Sequence, residues 1–183
     1  NRAKDLTSSL EPYFMELDLL IAETWYNKGV MLFMHKDYFE AIANYNKSID
    51  INNKYISAWD AKGIALLRLG VFDESLKAFD EVLKLNPSAK VSEKRGLALY
   101  SSGKFEDAVD AYKKAIETSP DRISLMISLT GCYGLLGRTI EYIEGCKAIQ
   151  DTIEKENEYT RACFRAVCND LESALSLLRI ALE

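Results

Sequence analysis

The side chains whose types and spacing could do chemistry are few. Cys132, Cys146, Cys163 and Cys168 fall in the last third of the chain, none forms a Cys-x-x-Cys pair, and the single histidine, His35, is remote from them in sequence. A zinc site normally draws four Cys or His ligands from close pairs. No metal and no cofactor is therefore expected, and the cysteines read as small core residues in a reducing cytoplasm. One histidine that follows Met34 at the end of a helix cannot supply nucleophile, base and orienting group together. Its expected place is near a helix C-terminus, where a cation is favoured, and the acid pairs Asp73-Glu74 and Glu106-Asp107 open helices for the converse reason. No glycine-rich phosphate loop is present. The chain is not expected to be an enzyme, and the chemistry left to it is that of binding.

Composition narrows the partner. The chain has 183 residues, is 48% hydrophobic and carries a formal charge of −5. That is enough apolar mass for a core, and the acidic balance argues against nucleic acid, which needs a basic stripe. No run approaches the ~18 to 20 apolar residues of a membrane span, and no secretory signal is recognisable. A cytoplasmic protein is expected. The chain opens on Asn1 rather than methionine, as a fragment or a processed product would.

The elements that position these residues follow from an internal period. Trp25 recurs as Trp59. Gly29 recurs as Gly63 and Gly96, Ala41 as Ser75 and Ala108, Tyr45 as Phe79 and Tyr112, and Pro87 as Pro120, all at spacings of 33 or 34. Each unit reads as two antiparallel helices, A and B. Small residues on A (Gly29, Gly63, Gly96) face small residues on B (Ala41, Ser75, Ala108), and the aromatic series packs toward the following unit. Trp25 and Trp59 fill the space beside the glycines, at an expected cost of roughly 3 to 5 kcal/mol if either is lost. Gly70 and Gly103 close helix A in a left-handed cap, with Lys36 in their place in the first unit.

Trp25-Tyr26-Asn27-Lys28-Gly29 with Asp37-Tyr38-Phe39-Glu40-Ala41 resembles the tetratricopeptide repeat. So do Ala58-Trp59-Asp60-Ala61-Lys62-Gly63 with Phe72-Asp73-Glu74-Ser75, and Gly96-Leu97-Ala98-Leu99-Tyr100 with Phe105-Glu106-Asp107-Ala108. The fold expected is all-α, a right-handed α-solenoid (superhelix) of antiparallel helical hairpins. The repeats are framed at about 22–55, 56–88 and 89–122, with a degenerate unit at 123–154 and a degenerate or truncated one at 155–183, as one domain over 22–183. In the fourth, Thr130-Gly131 is one residue out of phase for the glycine slot, Thr139 replaces an aromatic, Tyr142 takes the small slot and Cys146 the aromatic one. In the fifth, Ala162 takes the glycine slot and Asn169 to Ala174 echoes the turn at Gly70. Residues 1–21 form an N-terminal extension. Pro12 after Ser9 reads as a helix start, giving one long helix over about 11–35 with residues 1–10 poorly fixed.

The resemblance implies a concave face lined by helices A that binds a partner. Its positions here are Tyr26, Asn27, Val30, Phe33, then Asp60, Ile64, Leu67, Arg68, then Lys90, Glu93, Lys94, Leu97 and Tyr100. Ile127, Gly131, Leu135, Tyr159 and Cys163 follow from the degenerate units. The face is apolar with charges at its lip, and Tyr26, Phe33 and Tyr100 are the expected anchors. The family's two-carboxylate clamp for acidic peptide tails keeps only one element, Lys90 with Lys94. Tyr26, Val30 and Ala61 stand where its other donors belong. The expected ligand is an apolar or amphipathic helical segment of another protein. The alternative is a homodimer formed through the apolar terminal helices: Tyr13, Phe14, Leu17, Leu20 and Ile21 at one end, Leu171 to Leu182 at the other.

Overall fold

The computed structural model describes residues 2–119 and 122–168. The described residues form helices without strands: α1 (Arg2–Met34), α2 (Tyr38–Ile51), α3 (Ile56–Arg68), α4 (Phe72–Leu85), α5 (Ala89–Ser101), α6 (Phe105–Thr118), α7 (Arg122–Leu135), α8 (Thr139–Ile153) and α9 (Glu158–Val167). They divide into two compact units, Asn1–Pro87 and Ser88–Glu183. In unit 1, α1 pairs with α2 and α3 with α4; in unit 2, α5 pairs with α6 and α7 with α8, and α9 packs on both α7 and α8.

The helix turns are built alike. After each first helix of a hairpin one residue adopts positive φ: Lys36 at 66°, Gly70 at 75°, Gly103 at 77° and Gly137 at 69°. Around it, two amides return to the helix just ended. Asp37 N–H reaches Leu32 O at 3.0 Å, and the same bond recurs from Val71 to Leu66, Lys104 to Leu99 and Arg138 to Tyr133. This arrangement satisfies carbonyls that the helix end would otherwise orphan. Asp73-Glu74 and Glu106-Asp107 then occupy the first turns of α4 and α6.

Each early hairpin is closed by a ring lying on a glycine. A Cβ placed on Gly29 would stand 2.5 Å from the Tyr45 ring, one on Gly63 2.6 Å from Phe79, and one on Gly96 2.7 Å from Tyr112. The small residues meet as expected, with the Ser75 hydroxyl donating to Gly63 O at 2.8 Å. The rings also reach the next hairpin, since Tyr45 packs with Ala65 and Tyr112 lines one cavity together with Ile127 and Ser128. The tryptophans sit differently from expectation. Both are only half-buried, with Lys47 Nζ 4.2 Å from the Trp25 ring centre and Lys62 Nζ 5.1 Å from that of Trp59. Their loss therefore costs less than that of a wholly buried ring.

The fourth hairpin exchanges roles. Gly137 fixes its phase and puts Thr130, rather than Gly131, in the glycine slot. Thr130 is buried against Gly145, which has no side chain to obstruct it. Tyr142, too large for the small slot, directs its hydroxyl to Val167 O at 2.8 Å. In the fifth unit Ala162 is fully buried in its slot, while Pro120, Asn169 to Ala174 and Leu171 to Leu182 lie outside the described residues. The first helix is longer than the proline suggested: it begins at Arg2 and carries Pro12 inside it. Proline removes one helical hydrogen bond, and the helix here absorbs that loss instead of starting at it.

Three outcomes follow from this packing. Lys36→Gly should raise stability by about 1 kcal/mol in chemical denaturation, because a left-handed conformation costs an L-residue roughly that much. Gly96→Ala should lower it by about 1 to 3 kcal/mol through overpacking against Tyr112, although alanine ordinarily gains about 1 kcal/mol over glycine in a helix. Gly131→Ala, with its nearest neighbour at 3.7 Å, is the control that should show that gain. Burial, and secondarily Tyr26, pushes the Tyr45 hydroxyl up from 10.0 to about 12. Below pH 10 both folded and unfolded chains hold this proton; between 10 and 12 only the folded one does. Stability should therefore fall by roughly 2 to 3 kcal/mol across that window, and Tyr45→Phe should flatten the fall.

Candidate functional site

Unit 1 places the expected groove residues of the first two repeats mostly in its packing. Tyr26 is half-buried, its ring 6.0 Å from that of Tyr45 and 5.5 Å from that of Tyr55. Val30 and Phe33 pack against the cluster of Ala41, Tyr45 and Ala65, and Phe33 also meets the Tyr38 ring at 5.2 Å. Ile64, Leu67 and Asp60 are half-buried, while Asn27 and Arg68 are exposed. Of the aromatic anchors, Tyr26 and Phe33 are thus half-buried within unit 1.

Unit 2 is more open. Leu97 and Tyr100 keep 46% and 37% of their surface exposed on α5, a helix begun by the Ser88 hydroxyl, which accepts from Val91 N–H. Tyr100 is steadied edge-on by Phe105 at 5.5 Å. Beside them lies a cavity of 180 Å³ lined by Leu97, Tyr100, Tyr112, Ile127, Ser128, Gly131 and Val167. A larger one of 660 Å³ shares Tyr100, Gly131 and Val167 and continues along Tyr133, Leu135 and Tyr142. A Cβ on Gly131 would meet only Val167, at 3.7 Å. The missing side chain at this residue is thus what opens the wall shared by both cavities.

The remaining positions divide around this cleft. Ile127 is buried with Ile149, Ile153 and Phe164, and Cys163 packs against the same cluster. Leu135 and Tyr159 are exposed. Lys90 and Glu93 are exposed and Lys94 is half-buried. Of the expected positions, Leu97, Tyr100, Ile127, Gly131 and Leu135 line these cavities; Tyr142 and Val167 line them too and were not among the expected positions. Tyr142 carried a signal, a large residue in a small slot; Val167 carried none, since it comes from the weakest repeat. Beside the cleft, burial pushes the Tyr112 hydroxyl well up, with Cys132 next in effect. The cleft offers apolar and aromatic contact and no ligand set: among the described residues no group of three or more His, Cys, Asp or Glu could hold a metal ion.

A tetratricopeptide repeat model matches residues 61–123 and another matches residues 22–55. The chain belongs to the tetratricopeptide repeat family. Human Superkiller complex protein 3 is 27% identical over 171 residues, 86% of this chain but only 11% of that protein's length. The uncharacterized protein MJ0572 of Methanocaldococcus jannaschii is 35% identical over 65 residues, 36% of this chain and 76% of that one. Among solved structures, a MamA RS-1 double mutant matches with a TM-score of 0.69 at 21% identity, covering 73% of this chain and 76% of its own. YrrB, described as a TPR protein with an unusual peptide-binding site, matches at 0.65 and 16% identity over 94% and 88%. The first TPR of Spaghetti (RPAP3), bound to the HSP90 peptide SRMEEVD, matches at 0.60 and 25% identity over 65% and 98%. These likenesses show an all-α helical-repeat fold. No helix among the described residues is long and apolar enough to cross a membrane.

If the cleft is a preformed TPR surface, its floor should tolerate loss of exposed side chains. Leu97→Ser with Tyr100→Ala should leave the far-ultraviolet helical signal unchanged and move the thermal midpoint by no more than about 4 °C, corresponding to about 1 kcal/mol. Circular dichroism on heating checks this.

Proposed function

We propose that this chain is a non-catalytic protein-interaction module whose unit 2 cleft takes an apolar or amphipathic helical segment of a partner protein. The observation that carries the reading is the exposed pair Leu97 and Tyr100 beside the cavities at Gly131. Exposed apolar surface around a concavity is where a helical ligand presents anchors at i, i+3 and i+4 spacing. Two fold neighbours, YrrB and RPAP3, have peptide-binding descriptions, which favours the same use here. The acidic tail carried by the RPAP3 complex is a poorer model for the ligand. A buried carboxylate needs its full set of donors; Val30 and Ala61 have no side-chain donor, and Tyr26 puts a neutral phenol where the clamp has a lysine cation. Lys90, Glu93 and Lys94, on the same helix as Leu97 and Tyr100, are proposed as its charged lip, setting orientation more than affinity. Nucleic acid is not proposed as a partner, for the chain's net charge is −5.

Capture of partners from an extract of the source cells, with identification by mass spectrometry, tests this. The Leu97→Ser/Tyr100→Ala variant should lose at least about tenfold in affinity for the partner identified, since truncated anchors commonly cost more than 1 kcal/mol each. Undiminished affinity would rule the cleft out.

A second reading rests on a separate observation. On α1, Tyr13, Phe14, Leu17 and Leu20 are all at least half exposed, and Glu11, Glu16, Asp18 and Glu23 accompany them without a basic residue from 11 to 27. This apolar stripe suits self-association, with the homodimer as its simplest form. Light scattering over a range of concentrations checks it: a mass that rises with concentration supports the dimer, and a monomer throughout ends it.

A further inference from the structure

Two cysteines that the binding reading does not use meet where the fourth hairpin adjoins α9. Cys146 occupies the slot that Tyr45, Phe79 and Tyr112 fill in the earlier hairpins. Cys168 follows α9 as its C-cap residue. Their sulfur atoms stand 2.6 Å apart, inside non-bonded contact and about half an ångström beyond a bonded pair. Two independent contacts hold them there. Both side chains pack against the buried Ile127, Ile149, Ile153 and Phe164. One turn earlier on α8, the Tyr142 hydroxyl donates to the carbonyl of Val167, the residue before Cys168. Neither cysteine is sealed off, for both are half-buried, whereas Cys132 is buried. A ring in the slot of Cys146 would have kept the second sulfur away.

We propose that Cys146 and Cys168 are a thiol pair that closes to a disulfide with a low-molecular-weight disulfide such as oxidised glutathione as the oxidant. The Cys146 thiolate attacks one glutathione sulfur. The glutathione S–S bond breaks, one glutathione thiolate leaves, and Cys146 carries the other half as a mixed disulfide. The Cys168 sulfur, already beside it, then gives up its proton and attacks Cys146 Sγ, expelling the second glutathione thiolate. The two protein sulfurs lose two electrons, the oxidant gains them, and two protons pass to the two glutathione molecules released. Burial, with the adjacent Cys146 sulfur as a smaller cause, pushes the Cys168 thiol up, and the pair closes to the same disulfide whichever sulfur attacks first.

The bond would join residues 22 apart and pin the end of α9 to α8. Val167, on the wall of both cavities, would be fixed with it. Oxidation thus stiffens one side of the cleft, whatever ligand the cleft takes.

The test is to equilibrate the folded 183-residue chain in glutathione redox buffers, alkylate free thiols and map the peptides by mass spectrometry. The expected result is loss of two of the four thiols, a Cys146–Cys168 cross-linked peptide two hydrogens lighter than its parts, and a thermal midpoint raised by roughly 5 to 10 °C. Cys132→Ser and Cys163→Ser should keep the link. Cys146→Ser and Cys168→Ser should lose it and leave the remaining partner as a glutathione adduct or free thiol. Four alkylated cysteines in the oxidised wild-type chain would overturn the proposal, and so would a link formed through Cys163. The wild-type map decides the matter even if a variant fails to fold.

Discussion

The architecture depends on an aromatic ring pressed against a helix at a glycine, where any Cβ would collide with it. Gly29 under Tyr45, Gly63 under Phe79 and Gly96 under Tyr112 bring two helices close enough for small residues such as Ala41, Ser75 and Ala108 to meet the opposing backbone. Each ring is buried, and such burial contributes about 1.5 to 3 kcal/mol apiece. The contact also joins neighbours, since Tyr45 and Tyr112 reach the following helix. A repeat protein is held together by such nearest-neighbour contacts. Everything exposed on the first helices of the hairpins is presented by this packing.

The fourth hairpin lacks that ring, and the distinctive features of the chain cluster there. Thr130 fills the glycine slot and Gly145 yields to it. Cys146 leaves room where a ring would stand, so the end of α9 can come up against α8, with Tyr142 bonded to Val167 and Cys168 beside Cys146. Gly131, one residue beyond the slot, then faces the cleft instead of the packing. The same displacement that makes the repeat degenerate thus produces both the cavity wall and the thiol pair. Physically, a repeat freed from the ring-on-glycine constraint is one whose surface can specialise.

Much of the fold was legible in the sequence because it is written in period. The 33- and 34-residue spacing of Trp25, Gly29, Ala41 and Tyr45 located the hairpins and their turns, including the unusual left-handed Lys36. What periodicity does not carry is the depth of a side chain. Tyr26 and Phe33 have the composition of binding anchors, yet both are half-buried in their own unit, whereas Leu97 and Tyr100 stay exposed. Pro12 was misread for a different reason: a proline favours a helix start, but its one lost hydrogen bond does not forbid a helix that continues through it. The proximity of Cys146 and Cys168 was out of reach, because it depends on how α9 docks and α9 belongs to the least regular repeat.

The central claim is that the open wall at Gly131 is where a partner segment enters. Its most direct test is the affinity of a Gly131→Leu variant for the captured partner, measured by calorimetry beside the wild-type chain. A Cβ there would meet only Val167, at 3.7 Å, and the remainder of a leucine is expected to enter the space shared by the two cavities, leaving the chain folded. The account predicts that binding is lost while the thermal midpoint holds or rises. Wild-type affinity in a folded Gly131→Leu chain would contradict it.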